Sequence, residues 1–453
     1  MEVFEPGRID VISMGCSKNL VDSEKLLRRL QAKGYYTVHD SDSPRGEWVM
    51  VNTCGFIGDA KEESINLILQ LAEAKEEGTI GNIAVMGCLS ERYLADLEEE
   101  IKEVDRWYGK FNWNAFIESL PDRTGKDEQA PKPWERQLTT PEWSAYLKIS
   151  EGCNRFCSFC AIPLITGRHT STPPDELLEE VRSLVAKGVK EFNVIAQDLS
   201  SYGRDIDGKS HLAELIDRMA DIPGVEWIRL HYAYPADFPM DILEVMNRRD
   251  NVCNYLDIAL QHISDPVLSN MRRHIDKEGT LRLLDEIRRR VPGIRIRTTL
   301  MVGFPGEGEK EFEELKEFVR TQRFDRMGAF AYCEEDGTWG AKNLVDSVPE
   351  DVKQRRLQEL MDLQEEIALS RNEELIGENV RVLIETPASE NADGYAIGRT
   401  QWDSPEVDPE VLVRNCDAAP GEFVNVRITA AQPFELIGEP ADDAPGSNDI
   451  LKF

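Results

Sequence analysis

The sequence predicts an α/β protein in three parts: an N-terminal parallel α/β domain, a partial (β/α)6 barrel, and a small C-terminal antiparallel β-barrel. Three observations lead to this prediction. Short apolar runs alternate with helical patterns from the start of the chain, and six such strand–helix units follow residue 142. After Asn379 the pattern changes to short alternating β segments that are broken by Gly, Pro and Asn. The 453 residues are long enough for several separate cores.

Changes in composition place the domain boundaries. We predict an N-terminal domain at 7–120, a barrel core at 142–372 and a C-terminal β-barrel at 373–440. The polar, proline-containing stretch 121–141 predicts a linker. Residues 441–453, which contain Asp, Pro and Gly, predict a loose tail.

Charge and cysteine number limit the possible functions. Lys and Arg total 53 against 84 Asp and Glu, a net charge of −31, which disfavours non-specific adhesion to nucleic acid or anionic lipid and favours a basic protein partner. The N-terminus lacks a signal-peptide pattern and no window is apolar enough to cross a membrane, so we predict a cytoplasmic protein with no membrane partner. Nine cysteines, an odd number, argue against a disulfide framework.

Three of the cysteines end apolar runs of similar design. Cys16, Cys54 and Cys88 close these runs, which alternate with helical patterns at 20–33 and 61–76. Because the carboxyl ends of parallel strands meet at one edge of a sheet, we expect the three thiols to converge on a shared metal site. The alternative is that each is a small buried residue at the end of its strand.

The strongest local motif is a CxxxCxxC directly after the first strand of the predicted barrel. Its thiols, Cys153, Cys157 and Cys160, match three ligands of a 4Fe–4S cluster whose fourth iron stays open to another ligand. Zinc is the alternative, but structural zinc takes a fourth protein ligand, and the nearest candidate, His169, stands at an unusual spacing. A cysteine cluster without metal is the least favoured interpretation.

This motif resembles the signature of the radical S-adenosylmethionine (SAM) superfamily, including the aromatic residue before the last cysteine, Phe159. The resemblance implies that the open iron binds SAM and that cleavage of SAM gives a radical that attacks an unactivated C–H bond. Gln197 and Asp198, at a strand end on the same mouth, are candidate SAM contacts, with loop capping as the alternative. The resemblance also implies SAM contacts from a late strand-end motif, here Gly303, Phe304, Pro305, Gly306 and Glu307.

Three N-terminal motifs narrow the resemblance to the methylthiotransferase family, over nearly the whole chain. The motifs are the segments 15–24, 52–57 and 87–89, and each contains one strand-end cysteine. The resemblance implies that these three cysteines hold a second 4Fe–4S cluster, which carries sulfur that one SAM methylates while another supplies the radical. It also implies a TRAM-like C-terminal barrel that recruits substrate. Three remaining cysteines are interpreted as structural: Cys253, Cys333 and Cys416.

Two substrate classes compete within this family: adenosine in tRNA, and an aspartate of small-subunit ribosomal protein S-twelve, modified at its β-carbon. Segment 373–440 carries 14 acidic residues against four arginines and no lysine, which favours the basic ribosomal protein over RNA. Acidity that serves solubility alone is the alternative. The stretch 260–264, Leu-Gln-His-Ile-Ser, also resembles the ribosomal-protein enzymes, and we assign its His262 no proton-transfer role.

The resemblance therefore implies a radical SAM methylthiotransferase with SAM and two 4Fe–4S clusters as cofactors. Its partners would be the basic ribosomal protein, a reducing electron donor and a sulfur source, with tRNA as the nearest alternative substrate. A non-catalytic iron–sulfur electron carrier is the distant alternative, since such carriers rarely need so large a scaffold.

Overall fold

The computed structural model describes residues 4–125 and 130–441. Its N-terminal part is one parallel sheet in the order β2-β1-β3-β4-β5. The strands are β1 (Glu5–Ser13), β2 (Tyr36–His39), β3 (Gly46–Thr53), β4 (Asn82–Gly87) and β5 (Arg106–Trp107). The helices are α1 (Ser17–Ala32), α2 (Gly58–Glu76), α3 (Cys88–Glu100) and α4 (Asn114–Ser119). The three predicted strands are present as β1, β3 and β4, and the short β2 and β5 extend the sheet on either side.

Both faces of this sheet are covered, which explains why its central strands are apolar along their whole length. Met50 packs in one hydrophobic cluster with α1 and α4, whereas its neighbours Val49 and Val51 pack in a second cluster with α2 and α3. Side chains alternate across a strand, so one continuous apolar run supplies both cores. The carboxyl ends of β1, β3 and β4 consequently lie side by side at one open edge.

The middle part is a six-stranded parallel half-barrel in the order β13-β12-β11-β10-β9-β6, with β7 and β8 as a separate antiparallel pair. The strands are β6 (Ser144–Lys148), β7 (Ser150–Glu151), β8 (Thr170–Ser171), β9 (Glu191–Ile195), β10 (Trp227–Ala233), β11 (Val252–Ile258), β12 (Arg295–Val302) and β13 (Arg326–Ala331). The helices are α5 (Ile162–Ile165), α6 (Pro174–Val185), α7 (Arg204–Asp207), α8 (Leu212–Ala220), α9 (Ile242–Arg248), α10 (Asp265–Asn270), α11 (Lys277–Arg290), α12 (Glu309–Gln322), α13 (Trp339–Asn343) and α14 (Glu350–Glu373).

The two faces of the half-barrel differ. Alternate strand residues such as Phe192, Ile228 and Ile296 pack under the helices in the largest hydrophobic core. Their strand neighbours Asn193 and Arg229 are polar and point to the other side, which we call the open face. The open face is therefore built for polar contacts.

The C-terminal part is a closed five-stranded barrel. Its strands are β14 (Asn379–Thr386), β15 (Ala396–Thr400), β16 (Glu410–Val413), β17 (Phe423–Ala431) and β18 (Glu435–Pro440). The predicted antiparallel barrel is correct except for β16 and β18, which pair in parallel. An odd number of strands cannot close into a ring of antiparallel pairs alone, so at least one parallel pair is required.

Side-chain contacts tie the three parts together, and two of them involve the segments that join one part to the next. Within the stretch 121–141, Arg136 is buried and pairs with Glu24 of α1 and, at 2.7 Å, with Glu180 of α6. At the other end, Asn372 of α14 donates hydrogen bonds to the main-chain oxygens of Gln432 and Pro433 in the C-terminal barrel. Apart from residue 441, the predicted tail lies outside the described residues. None of the helices in the described ranges is both long and apolar enough to span a membrane.

Candidate active site

The CxxxCxxC cysteines lie on a tight loop that follows β7. Gly152 starts the loop with φ at +80°, and a Cβ there would collide with the main-chain oxygen of Arg168, so glycine is required. The loop is then fixed from both ends: Cys153 N–H donates to Gly167 O at 3.2 Å, and Ser158 N–H donates to Met271 O at 3.0 Å. The thiols are thus held on a pre-shaped loop at the carboxyl end of the half-barrel.

Polar groups surround the central thiol of this loop. Arg273 Nη1 lies 3.2 Å from Cys157 Sγ, and Tyr234 OH lies 3.7 Å from the same sulfur. Burial, with the negative charge of Asp198 adding to it, raises the pKa of Cys153 to about 12. Burial also raises the pKa of Cys160. Because their pKa values are raised, these thiols would lose their protons only when a metal cation coordinates them. The guanidinium of Arg273 is placed to offset the negative charge that results.

The other three cysteines meet at the edge of the N-terminal sheet. Cys16 lies between β1 and α1, Cys54 follows β3, and Cys88 follows β4 at the start of α3. The strands β1, β3 and β4 are neighbours in the sheet. A Cβ on Gly15, where φ is +88°, would come within 2.8 Å of Cys54 Sγ. This close approach shows that the loop bearing Cys16 passes next to Cys54.

Asn19 and Lys110 organise this second group of thiols. Asn19 Nδ2 donates to Thr53 O at 3.1 Å, while its Oδ1 accepts from Cys88 Sγ at 3.6 Å and from Lys110 Nζ at 3.4 Å. Burial opposes ionisation of Cys16, but the nearby ammonium groups of Lys18 and Lys110 lower its pKa. Of the three thiols in this group, Cys16 at the start of α1 is therefore the one that ionises most readily.

At the other two thiols of the group, burial dominates the pKa shift. It raises the pKa of Cys54, and it raises the pKa of Cys88 to about 12, in both cases with the charge of Cys16 adding to the shift. The three thiols therefore lie close enough to influence one another. We call them the N-terminal triad, and Cys153, Cys157 and Cys160 the barrel triad.

A buried ionic network connects the two triads. Lys110 Nζ lies 3.0 Å from Asp22 Oδ2 and 3.8 Å from Glu151 Oε2. Lys148 pairs with Asp22 and lies 2.9 Å from Glu151 Oε2. Burial works against both carboxylates, but the two lysines hold their pKa values below the ordinary range. Since Glu151 is two residues before Cys153, the network fixes the barrel triad to the N-terminal domain.

The residues expected to bind SAM are at the same end of the half-barrel. Phe159 packs edge-on against Phe304, with ring centroids 6.1 Å apart. Glu307 is buried: its Oε1 accepts from Gly303 N–H at 2.9 Å, and its Oε2 is 3.2 Å from His262 Nε2. Arg356 also donates to Glu307, at 2.8 Å. Both oxygens of the Glu307 carboxylate are thus used in contacts that shape the 303–307 loop. A ligand at this loop would therefore contact its main-chain groups and the residues beside Glu307.

His262 has the partners of a hydrogen-bonded barrel residue. Its Nδ1 accepts from Ser264 N–H at 3.0 Å, so Nε2 carries the proton and donates to Glu307. Gln197 and Asp198 also have internal partners. Gln197 Nε2 donates to Glu151, but its Oε1 is buried without a hydrogen-bond partner. Asp198 accepts from Ser200 N–H at 3.0 Å and so caps a short 3-10 helix. A free buried acceptor is the kind of atom that a ligand donor would satisfy.

Each triad offers three thiols as possible metal ligands. In the described ranges 4–125 and 130–441, no group of three or more His, Cys, Asp or Glu side chains converges on one ion position. Cluster ligands bind separate iron atoms and need no such point. His169, the candidate fourth zinc ligand, has its Nε2 3.2 Å from Ser171 Oγ. Thiols are the donors that iron–sulfur clusters take, so the chemistry of the residues present fits an iron–sulfur group.

The three remaining cysteines lie elsewhere. Cys253 is buried beside Trp227 and Tyr255, and Cys416 is buried in the core of the C-terminal barrel. Cys333 is exposed after β13.

Comparison with known families agrees with this division of the chain. The radical SAM superfamily matches residues 147–319, uncharacterized protein family UPF0004 matches residues 8–109, and the TRAM domain matches residues 376–440. The ribosomal protein uS12 methylthiotransferase RimO of Phocaeicola vulgatus is 59% identical, over 94% of this chain and 98% of its own. This chain belongs to the RimO family. It is a radical SAM methylthiotransferase, an enzyme type that uses SAM and an iron–sulfur cluster.

Other members and more distant folds extend this result. The RimO proteins of Porphyromonas gingivalis and Flavobacterium psychrophilum are 56% and 50% identical, over 96% and 97% of this chain and 99% of each of their own. The methyltransferase TsrM of Kitasatospora setae, solved with tryptophan and a SAM analogue, matches with a TM-score of 0.52 at 15% identity. The match covers 71% of this chain and 72% of TsrM. At that identity it shows a shared fold only.

Sequence reasoning missed two groups at the site of this RimO-family enzyme. Arg273 and Tyr234 contact Cys157 but are far from it in the chain. No sequence motif marks the arginine. Its neighbours Arg272 and His274 have positive φ, but only the structure shows this.

Proposed function

We propose that this enzyme methylthiolates the β-carbon of an aspartate in ribosomal protein uS12, with two 4Fe–4S clusters and with SAM as both radical source and methyl donor. The observation that carries the proposal is the pair of three-thiol sites, joined by one ionic network, in a chain of the RimO family. A ribosomal substrate implies a cytoplasmic enzyme.

Each triad would hold one cluster. The barrel triad, Cys153, Cys157 and Cys160, would bind the cluster that meets SAM, and the N-terminal triad, Cys16, Cys54 and Cys88, would bind the sulfur-carrying one. When bound, these groups supply the electron that cleaves SAM and a site for the sulfur atom. An external electron donor and a sulfur source complete the reaction.

The side chains around the two triads would hold the cofactors and orient them. The guanidinium of Arg273 balances charge at Cys157. The buried Oε1 of Gln197, which has no hydrogen-bond partner, would accept a hydrogen bond from SAM. The Glu307 carboxylate, held by Arg356, fixes the 303–307 loop. Lys110 and Asn19 would hold the N-terminal triad in a fixed position relative to the half-barrel.

The C-terminal barrel would recruit a basic protein. Glu410 and Glu435 are directly opposite each other on β16 and β18. Burial, with repulsion from Glu385 and Glu435, raises the pKa of Glu410. Like charges held face to face are unfavourable in the free protein. Lysine and arginine side chains of a bound partner would relieve that repulsion, whereas RNA would add to it.

One anaerobic experiment tests the proposal. The enzyme is reconstituted with iron and sulfide, given reductant and SAM, and incubated with purified uS12 or with tRNA, after which the products are analysed by mass spectrometry. We expect a methylthio mass gain on one aspartate of uS12 and none on tRNA. The Cys153→Ala variant serves as the control and should give no product. A gain on tRNA adenosine, or SAM cleavage with neither product, would contradict the proposed substrate.

A further inference from the structure

Lys18 reaches from the segment of the N-terminal triad to the half-barrel. Lys18 is two residues after Cys16, and its Nζ lies 3.6 Å from the centre of the Tyr232 ring. Tyr232 in turn is two residues before Tyr234, whose hydroxyl contacts Cys157. The Lys18–Tyr232 contact thus joins the segment that carries Cys16 to the segment that contacts Cys157.

The ammonium of Lys18 has negative groups nearby but forms no salt bridge with any residue that the structure describes. Its charge acts on Cys16 and on the buried Asp257. Within residues 4–125 and 130–441, no carboxylate forms an ion pair with it, and its contact is the face of an aromatic ring. Burial is the main cause that lowers the pKa of His231, and the charge of Lys18 adds to the shift. The ammonium therefore faces the half-barrel. Lysines that are partly buried in a protein normally pair with a carboxylate.

Tyr232 is held in an unusual backbone conformation. Its φ is +64°, which is rare for a bulky residue. The pairing of β10 with β11 shifts register between Leu230 and Ala233, so a bulge interrupts the strand alternation at this point. The side chain remains 38% exposed. Bulges and strained residues of this kind re-aim side chains next to active sites.

We propose that Lys18, supported by the Tyr232 ring, binds the side-chain carboxylate of the target aspartate. The inference rests on the proposed function, in which the reacting β-carbon is bonded directly to that carboxylate. A charge-assisted contact to the carboxylate would fix which hydrogen of the β-carbon is presented. It would also discriminate aspartate from asparagine, which carries no charge.

The test compares two enzymes and two substrates. Reconstituted full-length enzyme and its Lys18→Met variant are assayed with uS12 and with uS12 whose target aspartate is changed to asparagine. We expect Lys18→Met to raise KM for the aspartate substrate about tenfold or more and to leave the asparagine substrate unaffected. Lys18→Arg should restore most of the affinity. SAM cleavage without substrate, which depends on the barrel triad, should stay at the wild-type level, and the iron content is measured for each variant.

Lys25→Met is the matched control. Lys25 is on the same helix as Lys18 and, within the described ranges, also lacks an ion-pair partner. It lines a different place, a cavity of about 410 Å³ beside Trp134. An unchanged KM for Lys18→Met, or an equal effect on both substrates, would overturn this inference alone. Lost iron that matches the lost activity would also overturn it, by making Lys18 a support of the cysteine site. A wild-type enzyme that modifies no aspartate of uS12 would overturn the proposed function as well.

Discussion

Arg399 of the C-terminal barrel and Glu191 of the half-barrel form a buried ion pair, with Nη2 2.8 Å from Oε2 and side chains that are 2% and 0% exposed. Glu191 also pairs with Arg229 on β10. Burial disfavours the carboxylate, but the two guanidinium groups hold the pKa of Glu191 well below its ordinary value. Charges without access to water fix the C-terminal barrel on the open face.

Removal of Arg399 should therefore destabilise the protein. Arg399→Met leaves a buried carboxylate with one partner fewer, and the loss of one member of a buried pair costs about 3–5 kcal/mol. We expect a loss of that size in the free energy of unfolding, measured by urea denaturation. Arg414→Met, which removes an exposed arginine from the same barrel, is the control and should be near neutral. Equal denaturation midpoints for the two variants would contradict the role of the buried pair.

The same pair predicts a pH dependence. Because folding lowers the pKa of Glu191 from 4.5, its contribution to stability is present above that pH and is lost as the pH falls through the folded-state pKa. We expect Glu191→Gln to be destabilised at pH 7 and to lose less stability than the wild type between pH 5 and acid. Parallel stability curves for the two proteins would argue against this assignment.

The cysteine sites could be predicted from sequence because they depend on local order. Cys16, Cys54 and Cys88 end neighbouring parallel strands, and parallel topology brings such ends together without further information. Contacts that depend on tertiary packing could not be predicted. Arg273 reaches Cys157 across 116 positions, and Lys18 meets Tyr232 only because the N-terminal domain docks on the half-barrel.

The open-face contacts of the C-terminal barrel were also unpredictable from sequence. In the sequence, the acidic residues of this barrel suggest a uniformly negative surface. In the structure, however, Asp403 and Asp408 point inward. Arg326 Nη2 lies 2.7 Å from Asp403, and Tyr255 OH donates to Asp408 at 2.9 Å. Composition counts charges but does not say which of them are neutralised inside the protein.

The two triads should be separable by substitution. Alanine at Cys16, Cys54 and Cys88 together should remove about half of the iron, because each cluster needs its own thiolates. SAM cleavage should survive in this variant and methylthiolation should be lost. Alanine at the barrel triad is the complementary control and should abolish SAM cleavage. Iron content after reconstitution and product analysis measure both, and unchanged iron in the first variant would refute the second cluster.

Arg273 should tune the barrel cluster. Its positive charge, 3.2 Å from Cys157 Sγ, stabilises the more negative, reduced state. Arg273→Met is therefore expected to lower the reduction potential, as followed by a potentiometric titration with electron paramagnetic resonance, and to slow SAM cleavage. Arg273→Lys should recover part of the potential. Arg272→Met is the matched control, because Arg272 stacks on Trp339 at 5.1 Å instead, and a shift of the same size there would contradict a specific effect of Arg273.

Glu406 should contribute to substrate recruitment from the tip of the loop between β15 and β16. The residue is exposed with φ at +65°. Burial is the first cause that raises the pKa of Tyr146 on the open face, and the charge of Glu406 is the second, so the carboxylate lies near that face. An exposed carboxylate there attracts a basic substrate through an interaction that salt screens. We expect Glu406→Gln to raise KM for uS12 severalfold with little change in kcat, and to weaken the salt dependence of KM. Glu439→Gln, an exposed carboxylate on β18, provides the comparison, and equal salt dependence in both variants would show that only the overall charge of the barrel matters.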